Sequence, residues 1–235
     1  MADESDNGGK PNRNERRRNR TRTAILTAAD RVFRRKGVNG TSVNDITEAA
    51  DVAYGSFYNH FTTMDDVVAS VAENTIKAVV DKTREILRHA ERVEMLPAIG
   101  ARVVMRILSN DPAIRWLLER PYIFVAEFYK MAGTFMLEAE QAAVAKGIFK
   151  PVGGHEAWLR IFPWLLICEL NEALATGELL GQEDRFARIS MNLLGIDEAL
   201  VPRLLKGSRE LVGTSGLTAP VRLPGKAKHR PKKVE

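Results

Sequence analysis

Residues 41–61 read TSVNDITEAADVAYGSFYNHF, and this stretch decides the fold. Val43, Ile46, Ala49 and Ala50 fall at helical spacing, so one face of a short helix is apolar. Ser42 is a good N-cap, and Asp45 stands in the first turn, where an acidic side chain complements the helix dipole. A tight link through Asp51 and Val52 follows. Phe57 and Phe61, one helical turn apart, then form the buried face of a second short helix. Its other face carries Tyr54, Ser56, Tyr58, Asn59 and His60, all uncharged hydrogen-bonding groups, with Gly55 allowing close approach. Two short helices, the second polar outward and apolar inward, are what a helix-turn-helix needs to enter a major groove. The competing reading of the pattern is two ordinary surface helices.

Upstream, Ile25, Ala28, Ala29, Val32 and Phe33 make the apolar face of a first helix over roughly 22–36, with Arg34, Arg35 and Lys36 at its end and Gly37 as the stop. Downstream, Thr62 or Thr63 caps a long helix that begins with Asp65 and Asp66. Its apolar stripe continues through Val67, Val71, Ile76, Val80 and Ile86 to about His89.

The segments Ala-Ile-Leu-Thr-Ala-Ala-Asp-Arg-Val-Phe at 24–33, Lys36-Gly37, Thr41-Ser42-Val43, Ile46, Ala50-Asp51-Val52 and Gly55-Ser56-Phe57-Tyr58-Asn59-His60-Phe61 resemble the N-terminal domain of TetR/AcrR-family transcriptional regulators. The resemblance implies an all-α protein. An N-terminal three-helix helix-turn-helix DNA-binding domain would be joined by a long helix to a C-terminal helical ligand-binding and dimerisation domain. It also implies a homodimeric repressor, released from a palindromic operator by a small, mainly hydrophobic effector. Two positions depart from the family pattern. Asp51 stands where the family usually has Gly, and Asp tolerates the left-handed conformation better than most residues, at some cost. Met64 stands where a Lys is common, which removes one phosphate contact.

Within the reading pair, Thr41, Ser42, Tyr58 and His60 suit phosphate oxygens, as hydroxyl or N–H donors. Asn44, Tyr54 and Asn59 are the candidates for base edges, because amides and phenols both donate and accept. The resemblance supports Asn44, Tyr54, Gly55, Tyr58 and His60 as DNA contacts; Asn59 follows from its outward direction alone, and Ser56 is a further candidate contact on the same polar face. A structural surface histidine is the competing reading of His60.

Charge is distributed unevenly along the chain. The net +5 comprises +3 over residues 1–22, +7 over 203–235 and −5 over the rest. Basic ends around an acidic middle point to a polyanion partner, and solubilising tails are the alternative. Residues 1–20, with Gly8-Gly9, Pro11 and Arg16-Arg17-Arg18, are expected to form a disordered basic arm, and Arg16, Arg17, Arg18 and Arg20 to extend a DNA footprint. The domains expected are therefore the arm (1–20), the DNA-binding domain (21–64), the regulatory domain (65–210) and a disordered basic tail (211–235).

The regulatory segment reads as helices over 97–109, 112–119, 121–146, 155–176, 182–194 and 197–210, with Pro97, Pro112 and Pro121 near starts and Gly147, Gly177 and Gly195 near stops. Trp116, Tyr122, Phe124, Phe128, Met131, Phe135, Trp158 and Phe162 are candidate walls of an effector pocket; taken singly, each also reads as core. Glu127, Glu169 and Tyr122 are alternative polar anchors for that effector. Trp158–Ala175 is apolar on nearly all sides, so one side should face the subunit's core and the other a second copy. Phe186, Ile189, Met191, Leu193 and Leu194 would continue that surface. Pro163 either kinks this helix or lies in its first turn.

One cysteine, Cys168, rules out an intramolecular disulfide and any Cys-based zinc site. MADESDNGGK lacks the apolar run of a signal peptide, and Ile161–Cys168 is far short of a membrane span. The expectation is a cytoplasmic protein with neither cofactor nor metal. Two other classes compete: an enzyme, for which no phosphate-loop, dinucleotide, HExxH or Gly-x-Ser-x-Gly signature is present, and a constitutive DNA-binding protein without a ligand.

Overall fold

The computed structural model describes residues 12–111, 113–177 and 179–217, without the side chains of 132–137, 179 and 180. Of the arm expected at 1–20 and the disordered tail expected at 211–235, residues 1–11 and 218–235 lie outside the described residues, whereas 13–20 and 211–214 are helical. Among the described residues every regular element is helical: α1 Arg13–Lys36, α2 Val43–Ala49, α3 Tyr54–Tyr58, α4 Met64–Leu87, α5 Leu96–Asn110, α6 Ala113–Leu118, α7 Pro121–Ala145, α8 His155–Thr176, α9 Leu179–Leu193 and α10 Val201–Thr214, with a 3-10 turn at Val93–Met95. The chain divides into two compact units, residues 1–71 and 72–235, and the division falls inside α4 rather than at residue 64.

The first unit is built on α1, which starts earlier than expected. The Asn12 side-chain oxygen accepts the Glu15 N–H at 2.9 Å, while the Glu15 carboxylate accepts the Asn12 N–H at 2.8 Å. This reciprocal cap makes residues 13–20 helical despite their arginine run. From Ile25 onward α1 buries Ala28, Ala29, Val32 and Phe33 and packs on α2, and Ile46, Phe57, Phe61, Val67 and Val68 are buried in the same unit. Gly37 ends α1, its N–H reaching the Phe33 carbonyl at 2.8 Å. Between α2 and α3 the chain turns through Asp51, whose φ of 53° is left-handed. The Val52 N–H then bonds the Thr47 carbonyl at 3.0 Å, closing the turn.

The second unit is organised around α5, which is buried on nearly every side by α8, α9 and α10. Two arginines run through this apolar helix. Arg106 donates from Nε and Nη2 to both oxygens of Glu183, at 2.7 and 3.1 Å. Arg102 also bonds Asp184 and the Ser208 hydroxyl, and its Nη1 lies 3.6 Å from Glu183. Glu183 is fully buried and Arg102 is 1% exposed, so these charges are tolerated only because each meets its partner. Two-pronged geometry of this kind sets the register of α5, α9 and α10 more than it adds stability.

Aromatic rings join α7, α8 and α9. Phe162 packs on Phe128 at 5.6 Å, on Phe186 at 5.5 Å and on Trp158 at 5.0 Å between centroids. Pro163 lies in the interior of α8, buried, and not in its first turn. After α9, Gly195 takes a positive φ, and a Cβ there would stand 2.4 Å from the Lys150 carbonyl oxygen. That approach lets the Lys150 N–H reach the Leu194 carbonyl at 2.7 Å.

The outward surface of α8 and α9 is narrower than expected. Phe186, Met191 and Leu194 are fully buried within the subunit, because α9 turns that face toward α5 and α8. Ile189 and Leu193 are half-buried. On α8, Trp158, Phe162, Leu166 and Leu170 face inward, whereas Ile161, Trp164 and Cys168 are exposed.

Candidate nucleic-acid interface

Phe57 anchors α3: it is fully buried, 5.8 Å from Phe61, and has Tyr58 edge-on at 5.2 Å. With that face held, Tyr54 and Tyr58 project outward, 53% and 52% exposed. Their rings meet edge to face at 5.6 Å and their hydroxyls lie 3.2 Å apart. The hydrogen bond to Tyr54 pushes the Tyr58 phenol upward from its ordinary value. Gly55 lies exposed between them, and a Cβ there would meet nothing within 4 Å. The protein's own packing therefore places no demand for glycine at this position; a demand could come only from something approaching from outside.

Asn59 is exposed just past α3, and Ser56 is half-buried in its middle. His60 is half-buried, and burial, followed by the charges of Arg18 and Arg22, holds its imidazole below the ordinary value. Arg22 lies over the Phe61 ring at 5.0 Å and donates to the Ser70 hydroxyl at 3.3 Å. Asn44 is exposed on α2, donating to Glu48 at 2.7 Å, which leaves its oxygen and one N–H available outward.

Thr41 and Ser42 are both engaged within the protein, Ser42 as the N-cap expected of it. The Thr41 hydroxyl donates to the Gly37 carbonyl at 2.7 Å, and its N–H bonds Val38 at 3.1 Å, so both donors serve the turn. The Ser42 hydroxyl donates to the Asp45 carboxylate at 2.8 Å and accepts the Asp45 N–H at 3.2 Å. The Lys36 ammonium, 2.5 Å from Asp45, together with Ser42, holds the Asp45 carboxyl well below the usual carboxylate range. Both residues build the start of α2 before they can serve a phosphate.

Sequence reasoning puts Arg18 on a disordered arm and misses Arg22 altogether, yet both belong to α1 and join this surface. The two lie one turn apart, and both charges act on His60. The available signal is the Asn12–Glu15 cap, which makes the stretch a helix. On another face of α1, Arg16, Arg20 and Arg31 line an open groove of about 700 Å³ that ends at Ala49 and Ala50. Arg31 donates to the Ala49 carbonyl at 2.8 Å, at the partially negative end of α2.

The second unit holds a small enclosed space of about 20 Å³, lined by Ile76, Val79, Val80 and Thr83 of α4, Val104 and Leu108 of α5, and Phe124 and Phe128 of α7. Of the eight expected pocket residues, Phe124 and Phe128 line it. Phe162 and Trp158 stand behind Phe128, and Trp158 is pinned by its N–H to the Glu140 carboxylate at 3.1 Å. Trp116 is core on α6, Met131 is half-buried, and the Phe135 side chain lies outside the described residues. Tyr122 does not line the space: it is 78% exposed, packed edge-on to Trp164 at 5.5 Å, because α7 turns it away from Phe124. Beneath Trp158, burial pushes the Glu140 carboxyl up to about 7, against the opposing Trp158 hydrogen bond, and the His155 Nε2 lies 3.3 Å away.

No group of three or more metal-binding side chains occurs among the described residues, and no described helix is long and apolar enough to cross a membrane. Residues 25–71 match the family model described as bacterial regulatory proteins, tetR family. The HTH-type transcriptional repressor KstR2 of Rhodococcus jostii is 33% identical over 66 residues, spanning 28% of this chain and only 32% of that protein. KstR2 of Mycobacterium tuberculosis is 22% identical over 142 residues, covering 57% of this chain and 71% of that one. Among solved structures, RolR in complex with the ligand resorcinol superposes with a TM-score of 0.71 at 19% identity, over 81% of this chain and 95% of RolR.

Proposed function

We propose, from the premise that this chain belongs to the tetR family of bacterial regulatory proteins, that it is a homodimeric repressor released from a palindromic operator by a small, mainly hydrophobic effector. The observation that carries this reading is the ridge of α3: Tyr54, Tyr58 and Asn59 exposed, Phe57 locked beneath, and open space above Gly55. Such a ridge can lie along base edges, and Arg18, Arg22 and the α1 groove supply positive charge beside it for phosphates.

Two heads on a dimer would meet successive major grooves at a spacing of ~34–36 Å. The exposed Ile161, Trp164 and Cys168 of α8 offer apolar surface for the second copy. RolR holds resorcinol on a related fold, which supports a small-molecule effector here. Half of the residues lining the enclosed space come from α4, the helix that starts directly after the α3 segment. At about 20 Å³ the space admits no organic ligand without moving its walls. A ligand that wedges Phe124 and Phe128 away from Val79 and Val80 therefore binds a conformation with α4 displaced. Its preference for that conformation shifts the population, and a coupling of ~1–3 kcal/mol weakens DNA binding ~5–150-fold. The protein would act in the cytoplasm, where its DNA is.

Selection of bound fragments from genomic DNA by the purified protein tests the reading. A recovered palindrome, bound by a dimer, supports it; no preferred sequence would sink it.

A further inference from the structure

We propose that the space between α4, α5 and α7 takes a bare hydrocarbon group, and that it rejects an effector whose buried end carries a hydroxyl, an amine or a charge. This deepens the effector reading above and rests on it. No polar atom is exposed on the walls of the space. Seven of its eight lining residues are hydrocarbon side chains, and the eighth is Thr83. The Thr83 hydroxyl donates to the Val79 carbonyl at 2.7 Å, so it is spent within α4. The polar anchors expected from the sequence are not among the lining residues either. Tyr122 is turned to the surface, Glu169 accepts from Arg185 at 2.9 and 3.0 Å, and Glu127 accepts from the Lys130 ammonium at 2.6 Å.

A hydroxyl or amine entering such a space gives up its hydrogen bonds to water and finds none in return. The loss amounts to ~5–150-fold in affinity for each group left without a partner. A hydrocarbon group gives up nothing of the kind, and dry cavities walled by aliphatic and aromatic side chains do take benzene-like molecules. Among hydrocarbons, the near-parallel rings of Phe124 and Phe128, 6.1 Å apart between centroids, suit an aryl group. A longer effector can still carry polar groups, provided they stay outside these walls. The space therefore sorts molecules by the end they present to it, and a ring with hydroxyls on both sides has no acceptable end.

The test uses the full chain and two probes of one shape, m-xylene and resorcinol, in which methyls and hydroxyls exchange places. Resorcinol is also the ligand in the RolR complex. Binding is read by calorimetry and NMR titration without DNA. m-Xylene should bind at least ~10-fold tighter than resorcinol, with nuclear Overhauser contacts to the methyls of Val79, Val104 and Leu108. Leu108→Asn keeps the branched shape and puts an amide on the wall. It should narrow that ratio at least ~5-fold, because a hydroxyl then has a partner. Thr83→Val removes the one hydroxyl among the lining residues and should leave the ratio as it is. That variant and the Overhauser contacts decide the matter if the asparagine variant does not fold. Four results would overturn the proposal: resorcinol binding as tightly as m-xylene, m-xylene failing to bind or making its contacts elsewhere, a ratio widened by Thr83→Val, or one unchanged in folded Leu108→Asn. Failure of the protein to bind any operator would instead sink the regulator reading and leave these binding ratios standing.

Discussion

The hydroxyls of Tyr54 and Tyr58 lie 3.2 Å apart on the exposed ridge of α3, so each tyrosine orients the other before any partner arrives. Preorganisation of this kind lowers the ordering cost of binding. Tyr58→Phe should therefore weaken operator binding by removing one hydroxyl and freeing the other, roughly 5–150-fold from the ~1–3 kcal/mol of a good base contact. Asn44→Ala should act in the same range. Both should leave the unfolding transition in place, since both side chains are exposed. Titration of the selected operator by fluorescence anisotropy checks this, and unchanged affinity in both variants would remove the assigned reading face.

Asp51 makes a separate prediction. Its φ of 53° is strained for any residue with a Cβ, and a β-branched residue suffers most. Asp51→Val should cost ~1–2 kcal/mol, whereas Asp51→Gly should raise stability by up to ~1 kcal/mol. Urea unfolding midpoints distinguish the two signs.

The helical start of α1 carries the third. Arg13, Arg16, Arg17 and Arg20 repeat at spacings of one turn on exposed helix, so they repel one another in the free protein. Phosphates would relieve that repulsion. Replacing Arg16, Arg17 and Arg20 with Gln should lower affinity similarly for all DNA sequences. It should also flatten the log–log salt dependence by ~0.9 in slope for each phosphate no longer neutralised. A slope equal to that of the parent chain would exclude these arginines from the footprint.

Glu140 gives the fourth. Burial raises its carboxyl from 4.5 to about 7, so folding favours the protonated form. The associated stability is fully present below pH 4.5 and is lost as pH rises toward 7. The loss is on the order of 3 kcal/mol. Glu140→Gln should remove this slope and be more stable than the parent at pH 8. Chemical denaturation between pH 5 and 8 follows it directly.

The extents of α5, α7 and α8 are legible in the sequence because punctuation and periodicity agree: prolines open α5 and α7, Gly177 closes α8, and the apolar stripes run between. The reading ridge is legible for the same reason, since Phe57 and Phe61 leave only one direction for Tyr54 and Tyr58. Two kinds of feature are not. A stripe reveals that a face is covered but not by what, so the pattern alone gives Phe186, Met191 and Leu194 to a second copy, whereas α5 and α8 cover them. Pairings between distant residues leave no local trace. Nothing near Arg102 or Arg106 points to Glu183, and nothing near Trp158 points to Glu140. The effector space combines both difficulties, because its walls come from three helices and Tyr122 is indistinguishable in pattern from Phe124.

The ion cluster of α5 and α9 constrains how this sequence can drift. With Glu183 wholly enclosed, deleting Arg106 by itself leaves the acid only the 3.6 Å approach of Arg102, at up to ~3–5 kcal/mol, a large fraction of an ordinary domain's margin. Exchanging both partners for hydrocarbon side chains of similar volume is close to neutral. Descendants should thus hold the guanidinium and its acid together or lack both, and lineages with one alone should be rare.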